Sequence, residues 1–225
     1  HPAPLRAAHL VAKAGADGIT AHLREDRRHM TDADIASITA EIALPLNFEM
    51  AATNEMLKIA LKHLPHAACI VPEKRQERTT EGGLNVVGRQ NHLMPIICSL
   101  IDSGIRVSLF VEPEMQQIDA AKSLGASVVE IHTGAYCNAS GILRAQELSR
   151  IKKAAIYAAN LNIEVHAGHG LGFDTVGEIA AIPQLSELNI GHFLIGEAIF
   201  DGLDSSIKRM RSLMDNARAR ADGEG

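Results

Sequence analysis

Short apolar runs alternate with longer segments of helical period from one end of the chain to the other. Runs suited to strands occupy Gly18–Leu23, Leu46–Met50, Ala68–Pro72, Arg106–Val111, Val128–Thr133, Ile163–Gly168 and Glu187–His192. The segments between them carry apolar residues three and four apart. Ile35, Ile38 and Ile42 follow the capping-box start Thr31-Asp-Ala-Asp34, and Leu57, Ala60, Leu61 and Leu64 follow Thr53-Asn-Glu55. A glycine recurs where helix hands over to strand, in Ala14-Gly-Ala-Asp-Gly-Ile19, Leu124-Gly-Ala-Ser-Val-Val129 and Ser103-Gly-Ile-Arg-Val-Ser108. Repeated βα units predict a parallel sheet with right-handed crossovers, either doubly wound or closed into a barrel.

Period-two polar residues inside the strands favour the barrel. Asn47 and Glu49 share one face of their run while Phe48 and Met50 share the other; Thr20 and His22, and Glu130 and His132, alternate with apolar neighbours in the same way. A doubly wound sheet covers both faces with helices, whereas a barrel mouth has room for such groups. The expected architecture is an α/β (β/α)8 TIM barrel, a single domain over residues 1–225, with its first strand missing before His1-Pro-Ala-Pro4.

Composition narrows the class. The 225 residues are 46% hydrophobic, enough for a sizeable core, but only 3% aromatic, so that core is aliphatic. A net charge of −5 without a long basic face argues against a nucleic-acid surface. Cys69, Cys98 and Cys137 are widely spaced, as reduced cytoplasmic thiols are, and Cys69 lies in an apolar run that predicts a core position. No apolar stretch is long enough for a membrane span and no signal peptide opens the sequence, so a soluble cytoplasmic protein is expected.

Chemistry concentrates at the predicted strand ends. In Gly18-Ile-Thr-Ala-His-Leu-Arg-Glu-Asp-Arg-Arg-His29 an apolar run breaks directly into charge. Alone, that reads most plainly as a solvated loop of ion pairs. His22 and Arg24 nevertheless leave the strand on one parity, and an imidazole can carry protons while an arginine clamps phosphate. Glu49 ends the next strand on the same presumed inner face, where partial burial suits a general base; a buried ion pair is the bland alternative. Val71-Pro-Glu-Lys-Arg-Gln-Glu-Arg-Thr-Thr-Glu-Gly-Gly83 is too long and charged for a minimal turn, as lids and binding loops are. Ala167-Gly-His-Gly-Leu-Gly172 and Asn189-Ile-Gly-His192 close consecutive strands, and glycines there let backbone amides approach a phosphate. Of the other histidines, His9, His63 and His92 fall in helical patterns, whereas His132 and His166 could line a barrel mouth. The His-x-His at a first strand with a late-strand aspartate that a metal hydrolase would use is not visible, which weakens that reading and leaves it open, since a first strand is missing.

Taken together, these phrases resemble the pyridoxine 5′-phosphate synthase family along nearly the whole chain. The match runs through Ala14–Thr20, His22–His29, Asn47–Met50, Val71–Gln76 with Thr79–Gly83, Glu130–Gly134, Ala167–Gly170 and Glu187–His192. The resemblance implies a TIM barrel assembled as a homo-octamer. Its reaction condenses 3-amino-2-oxopropyl phosphate with 1-deoxy-D-xylulose 5-phosphate by acid–base catalysis, without a cofactor. Carried over by motif, His22 and Glu49 are proton acceptors, His169 a proton donor and Glu130 a transition-state-stabilising carboxylate. Arg24, His29 and Thr79 contact the deoxyxylulose phosphate; Gly170, Gly191 and His192 hold the other phosphorylated substrate. The family pattern also has a strand bearing Asn-x-Asp-His and then an arginine, expected upstream of His1. Other readings are a phosphosugar aldolase or isomerase on the same barrel, which would normally show a strand-end lysine or metal set, and a non-catalytic phosphate-binding barrel, which has no need of Glu49 with His22 and His169.

Overall fold

Helices in this chain stop where a glycine can take a left-handed backbone. Gly15, Gly104 and Gly125 have φ of 99°, 77° and 84°, and each turns the chain toward the next strand. In the computed structural model, which describes residues 3–73 and 82–223, the helices are α1 (Pro4–Ala14), α2 (Asp32–Glu41), α3 (Asn54–His63), α4 (Gln90–Asp102), α5 (Met115–Ser123), α6 (Gly134–Asn138), α7 (Gly141–Asn160), α8 (Val176–Ala180), α9 (His192–Asp201) and α10 (Leu203–Gly223). Their starts follow local chemistry. Thr31 and Asp34 cap each other at α2, Thr53 accepts the Met56 N–H at α3, and Pro4 opens α1, where a missing N–H costs nothing.

The strands are β1 (Ile19–His22), β2 (Leu46–Met50), β3 (Ala67–Ile70), β4 (Arg106–Val111), β5 (Val128–His132), β6 (Glu164–Gly168) and β7 (Leu185–Asn189). All pair in parallel in chain order, β1 through β7. This is the barrel sheet with one strand fewer than eight. Two boundaries differ from the sequence expectation. Strand β3 starts at Ala67 and ends at Ile70 rather than Pro72, a residue with no N–H for a ladder. Strand β7 lies two to three residues earlier than expected, because Gly191 already caps α9 and the apolar Ile190 belongs to the turn.

Each strand is amphipathic in the barrel sense. Ile19, Ala21, Leu46, Phe48, Met50, Ala68, Ile70, Val107, Leu109, Val129, Ile131 and Val165 face the helices and join one continuous aliphatic core. The opposite parity faces inward. Registered neighbours put His22, Glu49, Cys69 and Ser108 on that face, and likewise Phe110, Glu130, His166 and Glu187. Apolar packing inside the curl is reduced to Cys69, Val71 and Phe110.

Polar side chains connect the interior instead. Asn47 Nδ2 donates to Thr20 Oγ1 (3.4 Å), Thr20 Oγ1 to Asn189 Oδ1 (2.5 Å), and Asn189 Nδ2 to Glu130 Oε2 (3.0 Å). This path joins β1 to β7, the two outer strands of the sheet, through a polar interior. Among the described residues, no helix is long and apolar enough to cross a membrane.

Candidate active site

The inward parity that fills the interior continues past the strand ends, and there it gathers titratable groups. His22 closes β1 beside Glu49 of β2, with Nδ1 3.5 Å from Glu49 Oε2. Its other nitrogen, Nε2, lies 2.9 Å from Oε1 of Glu73, three residues beyond β3. Glu73 Oε2 also accepts the Glu25 N–H at 3.0 Å. Burial opposes ionisation of Glu73. The His22 ring, the Glu25 N–H and Arg24 outweigh it and hold the carboxyl below the usual range.

Glu49 and Glu130 behave in the opposite way. Burial pushes the Glu49 carboxyl up, against the pull of His22. Glu130, 2% exposed, is driven well above the ordinary value by burial and then by the charges of Glu49 and Glu187. Its Oε2 accepts from Asn189 and, at 3.7 Å, from the Cys69 thiol. Cys69 is thus buried as expected, yet it faces the site rather than the helices, and burial with the two glutamates keeps its thiol strongly protonated.

On the far side His132 Nδ1 donates to Glu112 Oε1 at 2.8 Å, and the same oxygen accepts the Gly83 N–H at 2.9 Å. The His132 and His169 rings stand 5.0 Å apart. Burial, with His132 and His192 adding like charge, pushes His169 below the ordinary imidazole value. The loop carrying it is shaped by close approach. A Cβ on Gly168 would lie 2.4 Å from Glu130 Oε1 and 2.8 Å from the Asn189 carbonyl, so only glycine fits. His169 itself sits at φ 78°, a left-handed backbone that costs a non-glycine residue about 1–3 kcal/mol. Thr133 Oγ1 holds it there, 2.7 Å from the Gly168 and His169 carbonyl oxygens.

The structure therefore brings His22, Glu49, Glu130, His169 and His192 around one strand-end face. Gly170 follows at φ 83° against Cys137, and Gly191 caps α9, with nothing within 4 Å of where its Cβ would lie. Arg24 is buried, its Nε 3.6 Å from Asp26 Oδ1. His29 is exposed in the loop beyond. Thr79 lies outside the described residues. Arg27 and Arg28 pair with Asp32, Glu55 and Asp26, as scaffolding does. His166 stands on the inward face beside its register partner Glu130, with Nε2 2.9 Å from Glu164 and Nδ1 3.4 Å from Glu187.

Glu73 and Glu112 were not singled out from the sequence. The signal was present: Cys69, Val71 and Glu73, like Ser108, Phe110 and Glu112, continue one parity past a strand end.

Comparison with known proteins bears on the family and on the fold. Residues 1–216 match the family model described as pyridoxal phosphate biosynthesis protein PdxJ. A pyridoxine 5′-phosphate synthase of Rhodospirillum rubrum is 66% identical over 218 residues, covering 96% of this chain and 88% of that protein. One from Zymomonas mobilis is 63% identical over 219 residues, covering 97% and 86%. Among solved structures, phosphoribosyl anthranilate isomerase from Thermus thermophilus aligns with a TM-score of 0.63 at 12% identity, covering 95% of each chain. A 4-hydroxy-2-oxoglutarate/2-dehydro-3-deoxyphosphogluconate aldolase aligns with a TM-score of 0.65 at 13% identity, covering 95% of this chain and 89% of that one. At such identities these two speak for the barrel fold alone, whereas the family match and the close relatives speak for more: the chain belongs to the pyridoxal phosphate biosynthesis protein PdxJ family.

Proposed function

We propose that the chain condenses 3-amino-2-oxopropyl phosphate with 1-deoxy-D-xylulose 5-phosphate, closing the pyridine ring and releasing pyridoxine 5′-phosphate, inorganic phosphate and water. The observation that carries this reading is the placement of two proton-accepting groups, His22 Nδ1 and Glu49 Oε2, 3.5 Å apart on adjacent strand ends. Imine formation, dehydration, phosphate loss and aromatisation each move protons, so the reaction needs several acid–base groups in one pocket.

In this scheme His22 and Glu49 accept protons from the condensing substrates. Glu130, kept protonated by burial, offers an O–H toward developing negative charge. His169 donates to the leaving group: burial makes its imidazolium a stronger acid than a free one, and a phosphate dianion bound at Gly170, Gly191 and His192 supplies the counter-charge that loads the proton. Arg24, His29 and Thr79 take the phosphosugar. An aldolase-like Schiff base finds no amine on the sheet, since β1 to β7 contain no lysine. A cytoplasmic single-domain subunit of a homo-octamer fits the free thiols Cys69, Cys98 and Cys137 and the exposed Ile195, Ile199 and Phe200 of α9.

The test is to incubate the full-length polypeptide with both substrates and no added metal, following pyridoxine 5′-phosphate by absorbance and mass. Product formation is expected. Binding of both substrates without product would overturn the reading.

A further inference from the structure

We propose that Glu73 is a positioning residue for His22, holding the Nε2 proton so that Nδ1 is the nitrogen that takes and returns protons beside Glu49. The proposal rests on the synthase reading above for the identity of the reaction, and on geometry for everything else.

A carboxylate only accepts, so the 2.9 Å contact between Glu73 Oε1 and His22 Nε2 requires Nε2 to carry hydrogen. In the neutral ring that leaves the lone pair on Nδ1. Glu73 is well fixed for this work. Its side chain is 5% exposed, its second oxygen is anchored by the Glu25 N–H, and it arrives directly from β3 on the inward parity. The groups facing the ring are Glu49 from β2 and Glu73 from the end of β3, with Arg24 from the ring's own loop acting on Glu73.

The proton step then balances simply. A substrate C–H or O–H gives its proton to Nδ1, the electron pair stays on the substrate, and the imidazolium formed lies against the Glu73 anion until Nδ1 returns the proton to substrate or water. Glu73 touches neither substrate; it orients the ring and offsets its charge, as the orienting carboxylate of a hydrolase triad does. Glu73 therefore sets which of the two histidine nitrogens is basic.

Two measurements on the full-length enzyme test this. In wild type labelled with 15N in its histidine rings, long-range 1H–15N correlation of the neutral form should show His22 protonated at Nε2; protonation at Nδ1 would overturn the proposal whatever the enzyme makes. In Glu73→Gln, the uncharged amide should lower kcat about 10- to 100-fold with KM changed less than about threefold. A wild-type kcat, or a KM that rises in step with the loss of kcat, sinks it. Should wild type make no pyridoxine 5′-phosphate, the functional reading fails, and the ring tautomer still decides the role of Glu73.

Discussion

Two glutamates, the half-buried Glu49 and the buried Glu130, are pushed the same way by desolvation and used differently. Glu49 keeps contact with His22 and reaches the strand-end face, where a raised carboxyl suits proton abstraction near neutral pH. Glu49→Gln should therefore cut turnover at least about a hundredfold with the fold preserved, measured by steady-state kinetics beside circular dichroism. Near-normal turnover would remove Glu49 from the mechanism. Glu130 is held as an acid inside the curl, so folding favours its protonated form and the wild type pays for ionising it. That contribution is complete below the ordinary value of 4.5 and is lost as pH rises through the higher folded-state value. Glu130→Gln keeps an acceptor for Asn189 and removes the ionisation. Its melting temperature at pH 7 to 8 should exceed that of wild type while activity falls, and the gain should vanish near pH 4. A variant less stable than wild type at pH 8 would show that Glu130 is not a neutral acid in the folded state.

At the scale of the element, strand and turn chemistry decide where these groups stand. On β6, Gly168 is the position where Glu130 and the Asn189 backbone close in. Gly168→Ala should destabilise by about 1–3 kcal/mol in urea titration, as overpacking does, and should displace Glu130 enough to abolish activity. Removal of the α2 cap, Thr31→Ala, makes the contrast: about 1 kcal/mol lost and kcat unchanged, since the cap serves only the helix. Equal kinetic damage from both would deny Gly168 any special link to the site. Much of this level was readable in the chain. The glycine turns, the α2 and α3 caps and the alternating parity of β1, β2 and β5 follow from local rules and emerge as expected. What local rules could not deliver is partnership. Parity says that Glu49 and His22 share a face, but it does not say that Glu73, beyond a strand and across two neighbours, reaches the far nitrogen of His22. Nor does periodicity see that β7 stops at Asn189 and that Gly191 already caps α9, which is why β7 lies earlier than its apolar pattern predicts. Cys69 shows the same limit: an apolar run told of burial, while the side of the sheet depended on register with Glu49 and Ser108.

Across the whole molecule the inward face carries proton-moving groups toward the C-terminal ends of the strands and an ionic cluster that begins at the strand starts and reaches Glu130 through His166 and Glu187. There Arg106 of β4 pairs with Glu164 of β6, whose carboxylate also meets His166 and Ser186. Burial works against Glu164, yet Arg106, His166 and Ser186 bring its carboxyl down to about 2. A depressed carboxyl stabilises the fold above its ordinary value of 4.5, and that stabilisation is lost as pH falls toward 2. Because the Glu164 side chain is 43% exposed, solvent screens the pair and the contribution is about 1 kcal/mol rather than the full shift. Arg106→Met keeps the aliphatic stem and removes the charge. It should cost about 1 kcal/mol at pH 7, lose less at each step below pH 4.5, and reach parity with wild type near pH 2, read by denaturant titration across that range. Turnover should stay within about twofold, since Arg106 opens β4 and the chemistry lies at the strand ends. A destabilisation that is as large at pH 2 as at pH 7 would mean that Arg106 acts by packing and that the ionic cluster carries no pH-dependent stability; a large loss of turnover would mean that the two ends of the barrel interior are not independent.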